Sequence, residues 1–294
     1  MMTGFIGLGI MGKPMAKHLL KGLGELAVYD LEEGPVRELT GLGAVCMTPA
    51  EMAKRCEVIH CILPTGAIVQ NVLFGEGGVR ENAGALKIVC DHSSVTPGES
   101  RVCAEKLALE GIAFVDCPVS GGEPKAIDGT LAFMAGGKRA VFDALKPHFE
   151  AMGSSAVLVG DVGSGSIAKL VNQVIVNLNI AAVSEAFVLC EKAGADPRKV
   201  YDAIRGGLAG STVLDAKIPK ILAGDFAPGG TIKVNRKDIN NVLSTAHACE
   251  CPMPLSSQLY EIMQTLAAHG HLMDDHSGIV QYFEELAGVE VREH

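Results

Sequence analysis

Gly7, Gly9 and Gly12 stand in G-x-G-x-x-G spacing, directly after the apolar run FIG and directly before the amphipathic run KPMAKHLL. A strand that turns through glycines into a helix brings backbone close to the unpaired N–H groups of the helix start, which suits a bound pyrophosphate. Asp30 closes the next apolar run, LAVYD, at the separation where a dinucleotide-binding βαβ unit places a carboxylate on the adenosine ribose. Gly7, Leu8, Gly9, Ile10, Met11, Gly12 and Asp30 are therefore read as a dinucleotide site. Glu32 and Glu33 follow Asp30, and no Lys or Arg appears before Arg37. A 2′-phosphate would meet acids there, so NAD is the expected cofactor, with NADH favoured and NADPH use left open.

The rest of the first half agrees with that unit. Apolar runs at 4–7, 26–30, 58–64, 86–92, 112–119, 131–137 and 156–160 alternate with amphipathic stretches, the pattern of an α/β, doubly wound, mostly parallel sheet. Ligands of such sheets bind beyond the carboxyl ends of strands. Leu63, Pro64 and the stretch from Ser93 to Thr96 are placed on the cofactor groove for that reason. After Gly160 strand-like runs disappear and Ala-, Val- and Leu-rich helical stretches take over. The reading is a Rossmann domain over 1–161 and an all-α domain over 162–294. A helix from about 164 to 193, roughly 45 Å long at 1.5 Å per residue, begins the second domain and can bridge the two. Further helices are expected at 197–206, 211–223, 236–249, 254–269 and 276–287.

That first helix is apolar nearly all round, which predicts burial, yet it carries Lys169, Asn172 and Gln173 at i, i+3 and i+4 on one face. A lysine in such a setting is costly unless paired or used. Reduction of an aldehyde leaves an alkoxide that needs a proton, and an ammonium within reach can supply it. Lys169 takes that role, with Asn172 and Gln173 orienting it or the substrate. Gly163 and Gly165 leave room for something to approach the helix start. Upstream, Ser120, Gly121 and Gly122 follow a strand, and their N–H groups and hydroxyl form a small nest for a carboxylate. Lys237, beside Asp238, is a further cation read as reaching the substrate or the nicotinamide.

A net charge of −9 without a basic cluster excludes nucleic acid or an anionic membrane as the main partner. The nine cysteines lie mostly in apolar runs without a CxxC pair. They are read as buried reduced thiols, not as disulfides or a metal site, and a soluble cytoplasmic protein is expected. No uninterrupted apolar run reaches the roughly 18 residues of a membrane span.

The fingerprint GFIGLGIMGKPMAKHLL, the loop DCPVSGGEPKAIDGTLAFMAGG, the helix GSGSIAKLVNQVIVNLNIAAVSEA and the segment AIRGGLAGSTVLDAK resemble, in this order, the β-hydroxyacid dehydrogenase family. The resemblance runs from about residue 4 to about residue 290. It implies a Rossmann domain followed by an all-helical domain that makes a homodimer or homotetramer, and a small carboxylate-bearing aldehyde or hydroxy acid as substrate. By the family's pattern Lys169 is the general acid/base, Ser120, Gly121 and Gly122 hold the substrate carboxylate, and Lys237 lies near the cofactor. The segment 208–215 helps to close the pocket. Many relatives carry an Asn four residues after the lysine; here Asn172 is at three and Gln173 at four, so both stand as the assisting amide. A non-catalytic NAD-binding protein is the reading from another class, and Lys169 together with the glycine nest speaks against it.

Overall fold

The computed structural model describes residues 2–293. The chain divides into two compact units, Met1–Lys169 and Leu170–His294. The division falls inside the long helix, eight residues beyond the boundary drawn from sequence texture. The reason is local: the first turn of that helix is tied to the sheet.

The first unit is a nine-stranded sheet. Its strands are β1 (Thr3–Ile6), β2 (Leu26–Tyr29), β3 (Val45–Cys46), β4 (Val58–Cys61), β5 (Ile88–Asp91), β6 (Ala113–Asp116), β7 (Val119–Ser120), β8 (Leu131–Gly136) and β9 (Gly153–Gly160). The order is β3-β2-β1-β4-β5-β6-β8-β7, with β9 on β8. From β3 to β6 every pairing is parallel, whereas β8 runs antiparallel to β6 and β7. Apolar runs located seven of these strands. The run at 112–119 divides in two at Cys117-Pro118, because proline has no N–H for a ladder. The two-residue β3 was not foreseen; it lies in the short run 44–47, and both its residues are exposed.

Helices cover both faces. Phe5, Leu19, Val28, Val115, Phe133 and Phe149 belong to the core on one side, and Ile6, Ile59, Val69, Val89, Leu107 and Phe114 to that on the other. Alternation along β1 explains the split, since Phe5 and Ile6 point to opposite faces. The helix Pro49–Arg55 starts on a capping box, Thr48 with Glu51, and Pro97–Ala108 on another, Thr96 with Glu99. Each box satisfies backbone donors that a helix start leaves unpaired.

The second unit is all helical: the remainder of Ser164–Lys192, then Pro197–Ile204, Thr212–Ala223, Ile232–Ala248, Pro254–Ala268 and Val280–Ala287. Its core has two clusters, one around Phe187, Ile218 and Val280 and one around Ile180, Ile239 and Met263. Ile232–Ala248 begins four residues before the predicted start because the Thr231 side chain caps it by accepting from Val234 N. The polar stretch KVNRK hid that first turn.

The long helix departs from expectation in its surroundings. Ile167, Val171 and Ile175, spaced by four, are 42–61% exposed, and Leu189 is 70% exposed. One face is therefore uncovered, and all-round apolarity did not mean all-round burial. By length and composition this is the one helix among the described residues able to cross a membrane. Its Gln173, Asn177 and Ser184 are nevertheless buried and hydrogen-bonded within the second unit. The cysteines are also less uniform than read: Cys56, Cys61, Cys90, Cys103 and Cys117 are buried, but Cys46, Cys249 and Cys251 are exposed. Cys46 lies on the edge strand β3, and the other two follow the end of Ile232–Ala248.

Candidate active site

The glycine turn connects β1 to the helix Gly12–Leu23. Gly7 has φ +94°, and a Cβ there would stand 2.2 Å from the Ile62 carbonyl oxygen; one on Gly12 would stand 1.9 Å from that of Gly7. Both glycines are demanded by the protein's own backbone. Gly9 is different, because a Cβ there would meet nothing within 4 Å. The open side of the turn thus lies over Gly9, beside the exposed Ile10 and a helix start without a side-chain cap. Leu8 is buried, and its N–H donates to Asp30 Oδ2, while Asp30 Oδ1 accepts from Glu32 N at 2.9 Å. Each carboxylate oxygen has a second lone pair for a ribose hydroxyl. Tight glycines below, open space above and an acid at the next strand end together fit a dinucleotide.

Leu63 adjoins the turn: its Cδ2 lies 3.1 Å from where a Gly7 Cβ would be, and its N–H donates to Ser93 Oγ at 2.8 Å. Pro64 is exposed just beyond. Thr96 is differently employed. Its hydroxyl donates to Glu99 Oε2 at 2.8 Å and accepts from Glu99 N at 3.3 Å, so the side chain is committed to its capping box.

Asp116 ends β6 fully buried, and its carboxylate accepts from Gly163 N at 2.8 Å and Ser166 N at 2.7 Å. Burial pushes its carboxyl up to about 6, against the pull of those two N–H donors. The close approach expected at Gly163 and Gly165 is therefore made by the sheet itself, since a Cβ on Gly165 would stand 2.4 Å from the carbonyl oxygens of Asp116 and Met134. Sequence reading missed this role of Asp116. The available signal was an acid at a strand end and a Gly-Ser-Gly-Ser helix start some 47 residues on.

With the helix start pinned, Lys169 lies one turn further. Its Nζ donates to the Val119 carbonyl oxygen at 2.9 Å. Val119 and Ser120 form β7, and Gly121 (φ +136°) and Gly122 (φ +67°) follow in conformations that favour glycine. The half-buried ammonium and the Ser120-Gly121-Gly122 corner are thereby neighbours within the first unit.

The second unit holds the other predicted residues in one hydrogen-bonded run. Asn172 Nδ2 donates to Gln173 Oε1 at 3.0 Å, and Gln173 Nε2 donates to Asp238 Oδ2 at 2.6 Å and Asn235 Oδ1 at 3.3 Å. Asp238, only 2% exposed, also pairs through Oδ1 with Lys237 Nζ at 3.0 Å. The Lys237–Asp238 pair is thus no solvated surface pair, and Gln173 is buried with its N–H donors engaged. Asn172, one turn after Lys169, stays half-buried.

Comparison with known proteins agrees with the fold, a Rossmann unit followed by a helical one. A family model described as the NAD binding domain of 6-phosphogluconate dehydrogenase matches residues 2–160. Another, described as NAD-binding of NADP-dependent 3-hydroxyisobutyrate dehydrogenase, matches residues 163–283. The chain is 41% identical over 289 residues to the 2-hydroxy-3-oxopropionate reductase of Escherichia coli strain K12, covering 98% of each. It is 34% identical to the 3-sulfolactaldehyde reductase of the same organism, covering 97% of this chain and 96% of that one. The structure of Mycobacterium tuberculosis 3-hydroxyisobutyrate dehydrogenase with L-serine superposes with a TM-score of 0.88 at 26% identity, covering 95% of this chain and 98% of that one. A nicotinamide-binding Rossmann unit followed by a matching helical unit, over nearly the whole length of such relatives, makes this chain a member of the β-hydroxyacid dehydrogenase family of NAD(P)-dependent enzymes.

Proposed function

We propose that this enzyme reduces tartronate semialdehyde (2-hydroxy-3-oxopropionate) to D-glycerate, reversibly and with NADH. The observation that carries the reading is the 2.9 Å hydrogen bond from Lys169 Nζ to the Val119 carbonyl, one residue before Ser120. A proton donor and a carboxylate nest then stand side by side, at a spacing that suits a molecule with a carbonyl close to its carboxylate.

When bound, the reduced nicotinamide supplies the hydride to the aldehyde carbon. Ser120 Oγ and the N–H groups of Gly121 and Gly122 hold the carboxylate, so the carbonyl is presented in one orientation. Lys169 Nζ gives a proton to the carbonyl oxygen as it gains negative charge, and recovers one from solvent. Asn172, one turn after Lys169 and held by Gln173 Oε1, is assigned as the assisting amide, while Gln173 is buried and bonded to Asp238 and Asn235. Gln173 is a bracket, and through Asp238 it steadies Lys237.

NADH is preferred because Asp30, Glu32 and Glu33 surround the ribose end, and Arg37, the first cation after them, is ion-paired to Glu33. The exposed apolar row of Ile167, Val171 and Ile175 supports a homodimer or homotetramer. Reduced cysteines support a cytoplasmic setting.

The test is a panel of initial rates with tartronate semialdehyde, glyoxylate, succinic semialdehyde and, in the oxidative direction, 3-hydroxyisobutyrate. Tartronate semialdehyde is expected to give the highest kcat/KM. A higher value for any of the others replaces it as the substrate, a real contest because one methylene or hydroxyl is worth only about 1–3 kcal/mol in a pocket.

A further inference from the structure

Three histidines and a cysteine that the reaction does not use meet inside the largely apolar interior of the first unit. His60 lies on β4 and is 0% exposed, Cys90 on β5 is 0% exposed, and His92 just after β5 is 2% exposed. One ligating atom from each, two ring nitrogens and the sulfur, lie within 4.8 Å of one another. His60 Nδ1 faces His92 Nε2 at 2.9 Å, His60 Nε2 faces His148 Nδ1 at 2.8 Å, and His92 Nδ1 faces the Cys117 carbonyl at 2.7 Å. Histidine is seldom buried so fully.

We propose that His60, Cys90 and His92 form a binding site for a divalent metal ion of the zinc class. Imidazole and thiolate together suit such an ion. The outer nitrogens support it. A metal-bound imidazole commonly fixes its other ring nitrogen on a carbonyl or a similar partner, and both rings meet that requirement, His92 on the Cys117 carbonyl and His60 on His148.

The proton inventory closes in both states. A carbonyl only accepts, so His92 carries its proton on Nδ1 and offers a lone pair at Nε2. Without the ion, His60 donates from Nδ1 to that lone pair and His148 donates from Nδ1 to His60 Nε2. With the ion, His60 Nδ1 and His92 Nε2 both turn lone pairs to the metal; the His60 proton then sits on Nε2, facing His148 Nδ1, and that of His148 on its own Nε2. Each ring keeps one proton. Only the Cys90 thiol, which burial holds protonated in the absence of metal, releases its proton as the metal–sulfur bond forms.

The resulting single positive charge has a counterion. Asp91, next after Cys90 and 1% exposed, accepts from Ser93 N at 2.9 Å and Cys61 Sγ at 3.4 Å. Zinc holds nitrogen at about 2.0–2.1 Å, which sets two tetrahedral nitrogens roughly 3.3 Å apart. Metal binding therefore requires the two rings to part slightly from their 2.9 Å hydrogen-bonded separation and to turn so that both lone pairs converge on the ion. His148, 8% exposed, stands at the outer end of the cluster.

The full chain, purified without chelator, is assayed for metal content. After stripping, it is titrated with Zn2+ alone and with Co2+ alone, both folded and during refolding from denaturant. About one metal per chain, a thermal midpoint raised by Zn2+ and lowered by chelator, and a near-ultraviolet thiolate-to-cobalt band are expected. Cys90→Val removes the sulfur. His92→Asn keeps a donor for the Cys117 carbonyl while removing the Nε2 ligand. Both variants lose all three signals and retain NADH binding. Substoichiometric metal together with a thermal midpoint indifferent to both ions overturns the proposal and leaves a hydrogen-bonded imidazole chain. Equal uptake by the two variants overturns it as well, since the metal then sits elsewhere. The roles of Lys169 and Ser120 do not depend on either outcome.

Discussion

Gly9→Ala and Gly12→Ala separate what the protein's own backbone requires from what a bound dinucleotide requires. A methyl on Gly12 would stand 1.9 Å from the Gly7 carbonyl oxygen, a backbone atom that cannot step aside without moving the turn. Overpacking of this kind costs about 1–3 kcal/mol, and each kcal/mol lowers the midpoint by about 2–4 °C in a unit of this size. Gly12→Ala should therefore unfold several degrees early without any ligand. A methyl on Gly9 meets nothing within 4 Å, so its effect on unliganded stability should stay within about 0.5 kcal/mol. It would, however, occupy the side from which pyrophosphate is proposed to approach. Losing one backbone hydrogen bond to a charged group costs about 1.5–3 kcal/mol, a rise in Kd of roughly 10- to 150-fold. Thermal scans without ligand and NADH fluorescence titrations of the two variants measure both quantities. A Gly9→Ala protein that binds NADH as tightly as the parent would refute the reasoning, because the open side of the turn would then not be where the phosphates lie.

Other consequences follow from the same geometry. Gln173→Leu removes the amide that bonds the buried Asp238, and should cost about 1–3 kcal/mol in urea unfolding; Asn172→Ala should leave stability nearly unchanged and lower kcat. Asp275 is 1% exposed, and although burial alone raises its carboxyl, Ser277 N, the Lys217 ammonium 3.0 Å away and Gly230 N hold it far below the usual range. Its folded pKa is depressed, so its stabilisation is complete above the unfolded value and is lost as pH falls through the folded one. Asp275→Asn should lower the midpoint at pH 7, with breaking of a buried pair costing about 3–5 kcal/mol, and should flatten the pH dependence of the thermal midpoint below about pH 4. Initial rates with NADH should exceed those with NADPH, and Asp30→Ser should narrow the gap.

What could be read from the sequence was what neighbours along the chain determine. The glycine turn, Asp30 and the strands on either side of it follow from short spacings and apolar runs, and the long helix from its Ala-, Val- and Leu-rich composition. Three kinds of feature were hidden. Thr231 starts a helix whose first turn is polar, so no apolar stripe announced it. Asp116 gains its role from amides 47 and 50 positions later. His60, His92 and His148 converge from segments 32 and 88 positions apart, which motif spacing cannot detect. The bonds from Gln173 to Asp238 and Asn235, more than 60 residues away, were likewise beyond the reach of motif spacing.

The most direct measurement is single-turnover reduction of tartronate semialdehyde by NADH in Lys169→Ala. General acid catalysis is worth about 10²–10⁴-fold, so hydride transfer should slow by at least that range while the Kd for NADH stays as in the parent. Transfer at the parent rate would show that the carbonyl oxygen takes its proton from another group, and Lys169 would leave the mechanism.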